Sequence, residues 1–372
     1  MEMLIAKGSS TQAELSRSTG LSKATVSNIV QALARGGLVV TSPTTSSGRR
    51  AVMVRLEGRG AVAAGIDFGR RHVRVVLASL GREVVAERKI PLPPGHRGEA
   101  GIEAAAEVLD ALLVETGIER RAVLGVGAGI PGPIDRRTGT VVEGAILPEW
   151  VGLNVLRALE DRLRLRVFID NDANLGALAQ VTWGPHIGVE DIVFLKIGTG
   201  IGCGLIMGGM PYHGYAGTAG EIGHSPVTNS GLLCRCGNRG CLELAASTSM
   251  MIDALGRDQD VPITTDDIVR NALAGDTVTL RVIEDAGTAA GKALAVVANL
   301  VNPEVIVVGG PLAGLGEILL EPIRRSLLRY ALPLAGEQTT LAVSSLGDRA
   351  EALGATALVI RQVDLPAALA VI

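Results

Sequence analysis

The sequence predicts an α/β protein with a small basic head of helix, tight turn, helix and β-wing, followed by two α/β lobes that enclose a cleft. Three observations carry that expectation. Residues 1–60 hold eight Lys/Arg against three Asp/Glu, a charge of +5, while the remainder holds 27 against 35, or −8. Beyond Gly60, apolar strand runs alternate with helical periodicity and end in Gly-rich turns. Between Gly220 and Glu243, one His, three Cys and two Glu fall within twenty-four residues.

A length of 372 residues divides into two or three domains, each large enough to bury a core. With 47% hydrophobic and 20% charged residues the chain reads as globular, and at 2% aromatics its core must be aliphatic. No charged-then-apolar leader opens the sequence, and the longest apolar stretch, 293–315, is interrupted by Asn299, Asn302, Pro303 and Glu304. A cytoplasmic location without membrane contact is therefore expected. Four Cys, three of them clustered, leave only Cys203, so a disulfide framework is excluded.

In the head, Thr11-x-x-Glu14 is a capping box that opens a short helix, Gly20-Leu21 is a turn, and Ser22-x-x-Thr25 caps a second helix running to about Ala34. Val26, Ile29, Val30 and Leu33 form its inward stripe, which leaves Lys23, Thr25, Ser27, Asn28 and Gln31 facing outward. Side chains of that kind reach base edges and phosphates. Residues 38–40 and 51–54 read as two strands around a Ser/Thr/Gly-rich tip that ends in Gly48-Arg49-Arg50, a wing suited to a minor groove. A small helical docking domain with a solvated basic face fits the same pattern.

In the body, strands are expected over 62–68, 73–78 and 83–90, a helix over 99–115, and a buried strand over 122–128 that runs into GAGIPGPID. Ligands of open α/β sheets bind at such strand ends. A strand over 165–169 ends in Asp170-Asn171-Asp172-Ala173-Asn174, before a helix from about 175 to 183. Asp172 serves equally well here as a ligand-gripping carboxylate or as an N-cap. The strand 192–197 leads into Gly198-Thr199-Gly200-Ile201-Gly202-Cys203-Gly204, either a phosphate cradle or an ordinary hairpin. Helices follow over 244–255, 265–274, 277–300 and 316–330, with strands at 305–308 and 341–344 and a closing helix over 348–360. The expected domains are 1–60, 61–183 with the C-terminal segment 348–372 packing back on it, and 184–347.

His224-x9-Cys234-x-Cys236-Gly-x2-Gly-Cys241 places one imidazole and three thiols where they can converge on one ion. That soft ligand set suits tetrahedral zinc, structural and one per chain. The alternative is a group of ordinary buried thiols.

GVGAGIPGPID, IDNDAN, GTGIGCG, AGEIGH, CRCGNRGCLE, NPEVIVVGG and EALGATALV together resemble, in order and nearly end to end, segments of the ROK family (repressors, open reading frames and sugar kinases). TQAELSRSTGLSKATVSNIVQALARGGLV resembles the winged helix-turn-helix of bacterial repressors. The resemblance implies an actin-like, ribonuclease-H-like two-lobed body with a sugar in the interlobe cleft. It places the chain in the repressor branch, so that it acts as a sugar-responsive transcriptional regulator. By position, Asn171 and Asp172 correspond to the sugar-gripping pair, Glu221, His224 and Glu243 to further sugar contacts, and Gly132 to the loop that closes over the sugar.

The resemblance further implies that Ser22, Lys23, Thr25, Ser27, Asn28, Gln31, Arg49 and Arg50 face a double-stranded DNA operator, with the body paired as a homodimer or dimer of dimers. One departure argues against ATP as a cofactor and against enzyme activity. Family kinases carry D-x-G-G-T where this chain reads Asp67-Phe68-Gly69-Arg70-Arg71. Thr199, Gly309 and Gly310 still match the nucleotide side, and in an ATP-dependent sugar kinase, the alternative reading, Asp172 would be the base.

Overall fold

The computed structural model describes residues 3–4, 8–46, 48–57, 60–135, 138–142, 146–228, 231–257 and 262–363. In the head, β1 (Ser9–Thr11) runs into α1 (Gln12–Thr19) through the expected capping box. The Thr11 hydroxyl accepts from the Glu14 amide at 3.2 Å, and the Glu14 carboxylate accepts from the Thr11 amide at 2.7 Å. Ser22 caps α2 (Lys23–Arg35) by accepting from the Thr25 amide at 3.1 Å. The wing strands β2 (Val39–Ser46) and β3 (Arg49–Leu56) pair antiparallel, and β1 adds a third strand along β3. Three residues carry too little alternation for β1 to be read from the sequence.

Leu4, Leu15, Val26, Val30, Val39 and Val54 make the head core. Ile29 corrects the expected stripe, because it is 44% exposed. It lies one residue past Asn28 and four past Thr25, on the face those residues present outward.

The body opens with the antiparallel meander β4 (Val62–Phe68), β5 (His72–Ser79) and β6 (Val84–Pro91), followed by α3 (Gly98–Thr116). β7 (Val123–Ile130) returns parallel to β4. The short ladder of β8 (Ile134–Asp135) and β9 (Thr140–Val141) and the helix α4 (Val155–Leu163) precede β10 (Val167–Asn171), which is parallel to β7. All eight residues of β7 are buried, as expected of a central strand covered on both faces. α4 was not anticipated, although Val155, Leu159 and Leu163 recur at helical spacing and are buried.

Then follow α5 (Asp172–Thr182), β11 (Ile192–Ile197), β12 (Ile201–Met207) and β13 (Met210–Pro211). Next come α6 (Glu243–Ala246), α7 (Thr248–Leu255), α8 (Thr265–Leu273), α9 (Thr277–Val301), β14 (Val305–Gly309), α10 (Glu317–Tyr330), α11 (Pro333–Gln338), β15 (Thr340–Val343) and α12 (Ala350–Gln362). The helix expected over 244–255 is two helices, because Ser247 turns extended and caps α7 through the Met250 amide. The Gly-rich 198–204 stretch is a turn only through Gly200 and a strand thereafter. The expectation for 364–372 falls outside the described residues.

The two body sheets share one plan. Their strand orders are β6-β5-β4-β7-β10 and β13-β12-β11-β14-β15, each an antiparallel trio extended by two parallel strands. α12 packs on the first sheet and α5 on the second, and the two helices pack on each other between them. These contacts are backbone-close. A Cβ on Gly127 would lie 2.0 Å from the Ala355 carbonyl oxygen, one on Gly204 2.2 Å from that of Ala173, and one on Gly354 1.8 Å from that of Leu175. The far end of α12 meets the head. Val359 and Val363 share a core with Leu38, Ala61, Leu80 and Leu124, against which Leu33, Leu56 and Ile360 also pack.

Candidate functional site

The ends of β4, β7, β10, β11 and β14 converge on a cleft of about 270 Å³ between the sheets. Asp67, Gly132, Asn171, Asp172, Lys196, Thr199, Glu221, His224, Glu243, Gly310 and Glu351 all line it, as do Arg70 and Arg71. The six residues expected to contact a sugar therefore share one cavity.

On the first-sheet wall, β10 passes directly into α5, and the capping ambiguity resolves: Asn171, not Asp172, is the N-cap. The Asn171 side-chain oxygen accepts from the Ala173 amide at 2.9 Å, and its Nδ2 donates to the Gly132 carbonyl at 3.1 Å. Gly132 has φ 103°, a conformation that tells against any side chain there. Asp172 is the first residue of the helix and is only 7% exposed. Its Oδ1 accepts from Ala173 at 2.9 Å, and its Oδ2 takes the Lys196 ammonium at 2.7 Å. Lys196 also reaches Glu351 Oε1 at 3.0 Å.

Burial works against the Lys196 charge, but Asp172, Glu351 and Asp67 outweigh it and hold the ammonium well above its ordinary pKa. Burial pushes Glu351 up. It would do the same to Asp67, but the His72 hydrogen bond at 3.0 Å and the Lys196 charge leave Asp67 below its usual value. Asp170 fixes the strand end: it accepts from the Asn171 amide and from Asn174 Nδ2, and pairs with His213 Nε2 at 2.7 Å. Lys196, Glu351, Asp170, His72 and His213 were not singled out from the sequence. One signal was available, since Lys196 is the lone charge in the otherwise apolar strand IVFLKI.

The opposite wall is the Cys-rich loop. Ligand atoms of His224, Cys234, Cys236 and Cys241 all lie within 4.8 Å of one another. Cys236 and Cys241 sulfurs are 3.7 Å apart, and His224 Nδ1 is 3.6 Å from the Cys234 sulfur. A tetrahedral ion with metal–sulfur bonds of about 2.3 Å sets sulfur pairs about 3.8 Å apart, so this geometry fits a metal. Glu243 accepts from the Ile201 amide at 3.2 Å and pairs with Arg235, which sits between two of the Cys. The loop thus braces a cleft carboxylate. The remaining thiol, Cys203, is pushed up to about 12 by burial.

Arg70 and Arg71 form the β4–β5 turn and are exposed, while Gly198, Thr199 and Gly200 form the corresponding β11–β12 turn. Gly310 lines the cleft. Gly309 does not: the position of its absent side chain is filled by the Phe194 ring.

In the head, Gln12, Lys23, Arg50 and the β2 residues 41–44 line a groove between the helices and the wing. Lys23, Thr25, Asn28, Gln31 and Arg50 are exposed, Ser27 is half-buried, and the Ser22 hydroxyl is engaged in capping. The Arg49 backbone lies in β3, but its side chain falls outside the described residues, as does Ser47 of the wing tip.

Residues 63–362 match the ROK family, and residues 1–50 match the MarR family. The chain belongs to the ROK family. It is 30% identical over 362 residues to the xylose repressor of Caldicellulosiruptor bescii, covering 93% of this chain and 90% of that protein. It is 31% identical over 313 residues to the glucokinase of Halalkalibacterium halodurans, covering 80% of this chain and 94% of that protein. Among solved structures, a ROK family transcriptional regulator homologous to the Mlc protein of Escherichia coli matches with a TM-score of 0.77 and 25% identity, over 97% of this chain and 94% of that one. The two-lobed ROK body has the actin-like sugar-kinase fold, and the head is a MarR-type winged helix. Among the described residues no helix is long and apolar enough to cross a membrane.

Proposed function

We propose that this ROK protein is a sugar-responsive transcriptional repressor acting in the cytoplasm. The observation that carries the reading is the winged head joined to a sugar-kinase-like cleft: the match to the xylose repressor spans 93% of the chain, whereas that to the glucokinase spans 80%. The head docks α2 in a major groove. Thr25, Asn28 and Gln31 face base edges, Ile29 offers an apolar contact for a thymine methyl, and Lys23, Arg50 and the wing hold phosphates or the minor groove. Two heads, brought together by dimerisation of the body, read two half-sites.

Asp172, Asn171, Glu221, His224 and Glu243 grip the hydroxyls of a small sugar, with Gly132 at the closing loop. Zinc bound by His224, Cys234, Cys236 and Cys241 is structural, and it holds His224 and, through Arg235, Glu243 in place. The reading is tested by gel shift with the chain's own upstream DNA, comparing wild type with Lys23→Ala/Arg50→Ala. Loss of two phosphate contacts in each of the two heads lowers the salt slope by about 3.6. An absence of any wild-type complex at low salt rejects the reading.

A second reading, ATP-dependent sugar phosphorylation, is favoured by the retained Gly198-Thr199-Gly200 turn and the likeness to glucokinase. Two features oppose it. The Asp172 oxygen that would take the proton is ion-paired to Lys196, and Arg70-Arg71 stand where a phosphate loop needs small residues. ADP release assayed across hexoses, pentoses and N-acetylhexosamines discriminates between the readings, since only a kinase shows turnover that Asp172→Asn abolishes.

A further inference from the structure

The backbone-close crossing of α5 and α12 joins the two sheets beside the cleft. Gly354 of α12 lies against the Leu175 carbonyl of α5, one or two turns from where each helix begins. The first residue of α5 is Asp172, and the second of α12 is Glu351. Lys196, from the second sheet, bonds both carboxylates at once, at 2.7 and 3.0 Å. All three side chains line the cavity.

We propose that Lys196 is the clasp of this joint: it pins the first turns of α5 and α12 together, and an effector hydroxyl that takes the Asp172 carboxylate releases α12 and with it the head. This rests on the reading of the cleft as a sugar sensor. Both Asp172 oxygens are already engaged, one by the Ala173 amide and one by Lys196. A hydroxyl must therefore compete with the ammonium, and an ammonium this enclosed does not stay unpaired. It is left on Glu351 alone, which breaks the tie between α5 and α12. Glu351 and Val359 are eight residues apart, about 12 Å along the helix. At that far end Val359, Ile360 and Val363 pack with Leu33, Leu38 and Leu56 of the head. The α12 backbone is wedged against Gly127, so a shift at one end is carried to the other rather than absorbed.

A merely stabilising ion pair makes a different prediction, which hydrogen exchange on the full chain separates. Glu351→Gln keeps the Lys196–Asp172 pair and the side-chain shape, so it serves alongside the harsher Lys196→Met. Without sugar, Glu351→Gln is expected to raise amide exchange in segments 33–46 and 355–363 by about fivefold or more, the lower range of allosteric couplings. A rise confined to the first turns of α5 and α12, with those distant segments unchanged, overturns the proposal. D-glucose, D-xylose and N-acetyl-D-glucosamine are then added to wild type. A sugar that binds and raises exchange in the same segments supports the clasp, and one that binds without touching them overturns it. If none binds, the sensor reading fails, while the sugar-free comparison still decides the role of Lys196.

Discussion

The two body sheets run in the same strand order, yet the hairpin turns at their equivalent places differ: Gly69-Arg70-Arg71 after β4, and Gly198-Thr199-Gly200 after β11. Both turns face one cleft. The second turn is built of small residues at the cavity, whereas the first presents two long cations. A duplicated fold thus carries different chemistry at its two equivalent turns, and on the proposed reading that difference, rather than topology, sets a sensor apart from a kinase. The walls differ in support as well. The first-sheet wall is held by helix-capping bonds and the Lys196 ion pairs, the second by the Cys-rich loop through Arg235.

The largest effect is expected where the halves join. Gly354→Val forces a side chain onto the Leu175 carbonyl and should cost about 4 kcal/mol or prevent folding; a denaturation midpoint close to wild type would show that the crossing has slack. Next, disrupting the second wall by chelation or Cys236→Ser should weaken sugar binding by about 10- to 100-fold in calorimetry while operator binding persists. Equal loss of both activities would mean that the loop supports the whole chain. On the first wall, Asp172→Asn removes one charged acceptor, expected to cost about 2 kcal/mol of sugar affinity.

Arg70→Gly/Arg71→Thr makes the two turns alike. It should leave sugar affinity within about twofold and add a nucleotide-dependent rise in Tm of about 2 °C. A wild-type protein that already shows that rise contradicts obstruction by the arginines. The smallest effect concerns Asp67. Its folded-state pKa lies below the ordinary 3.8, so its stabilising contribution is present above that pH and is lost as pH falls through the depressed value. Asp67→Asn should therefore lower stability at pH 7 by about 1 kcal/mol, read as a lower Tm, with the gap to wild type closing in strong acid.

Much of this was legible because local signals agreed with the fold: Thr11 and Ser22 are caps, β11 occupies its expected 192–197, and the His/Cys spacing does bring four ligand atoms together. What was not legible depends on contacts distant in sequence. Ile29 has the spacing of a core residue, but it lies on the outward face of α2 with Thr25 and Asn28. Lys196, Asp172 and Glu351 span 179 positions (172 to 351) and meet only after α5 and α12 cross. β1 owes its existence to the open edge of β3 rather than to its own three residues.

On the proposed reading, one chain couples a sugar in the cleft to DNA at the head. A titration of the full chain against its own upstream DNA, at fixed low salt and with a panel of monosaccharides, tests it most directly. The expected result is a wild-type complex that one sugar weakens by at least about fivefold and that the same sugar no longer weakens in Asp172→Asn. A sugar that binds the chain yet leaves DNA affinity unchanged would contradict it.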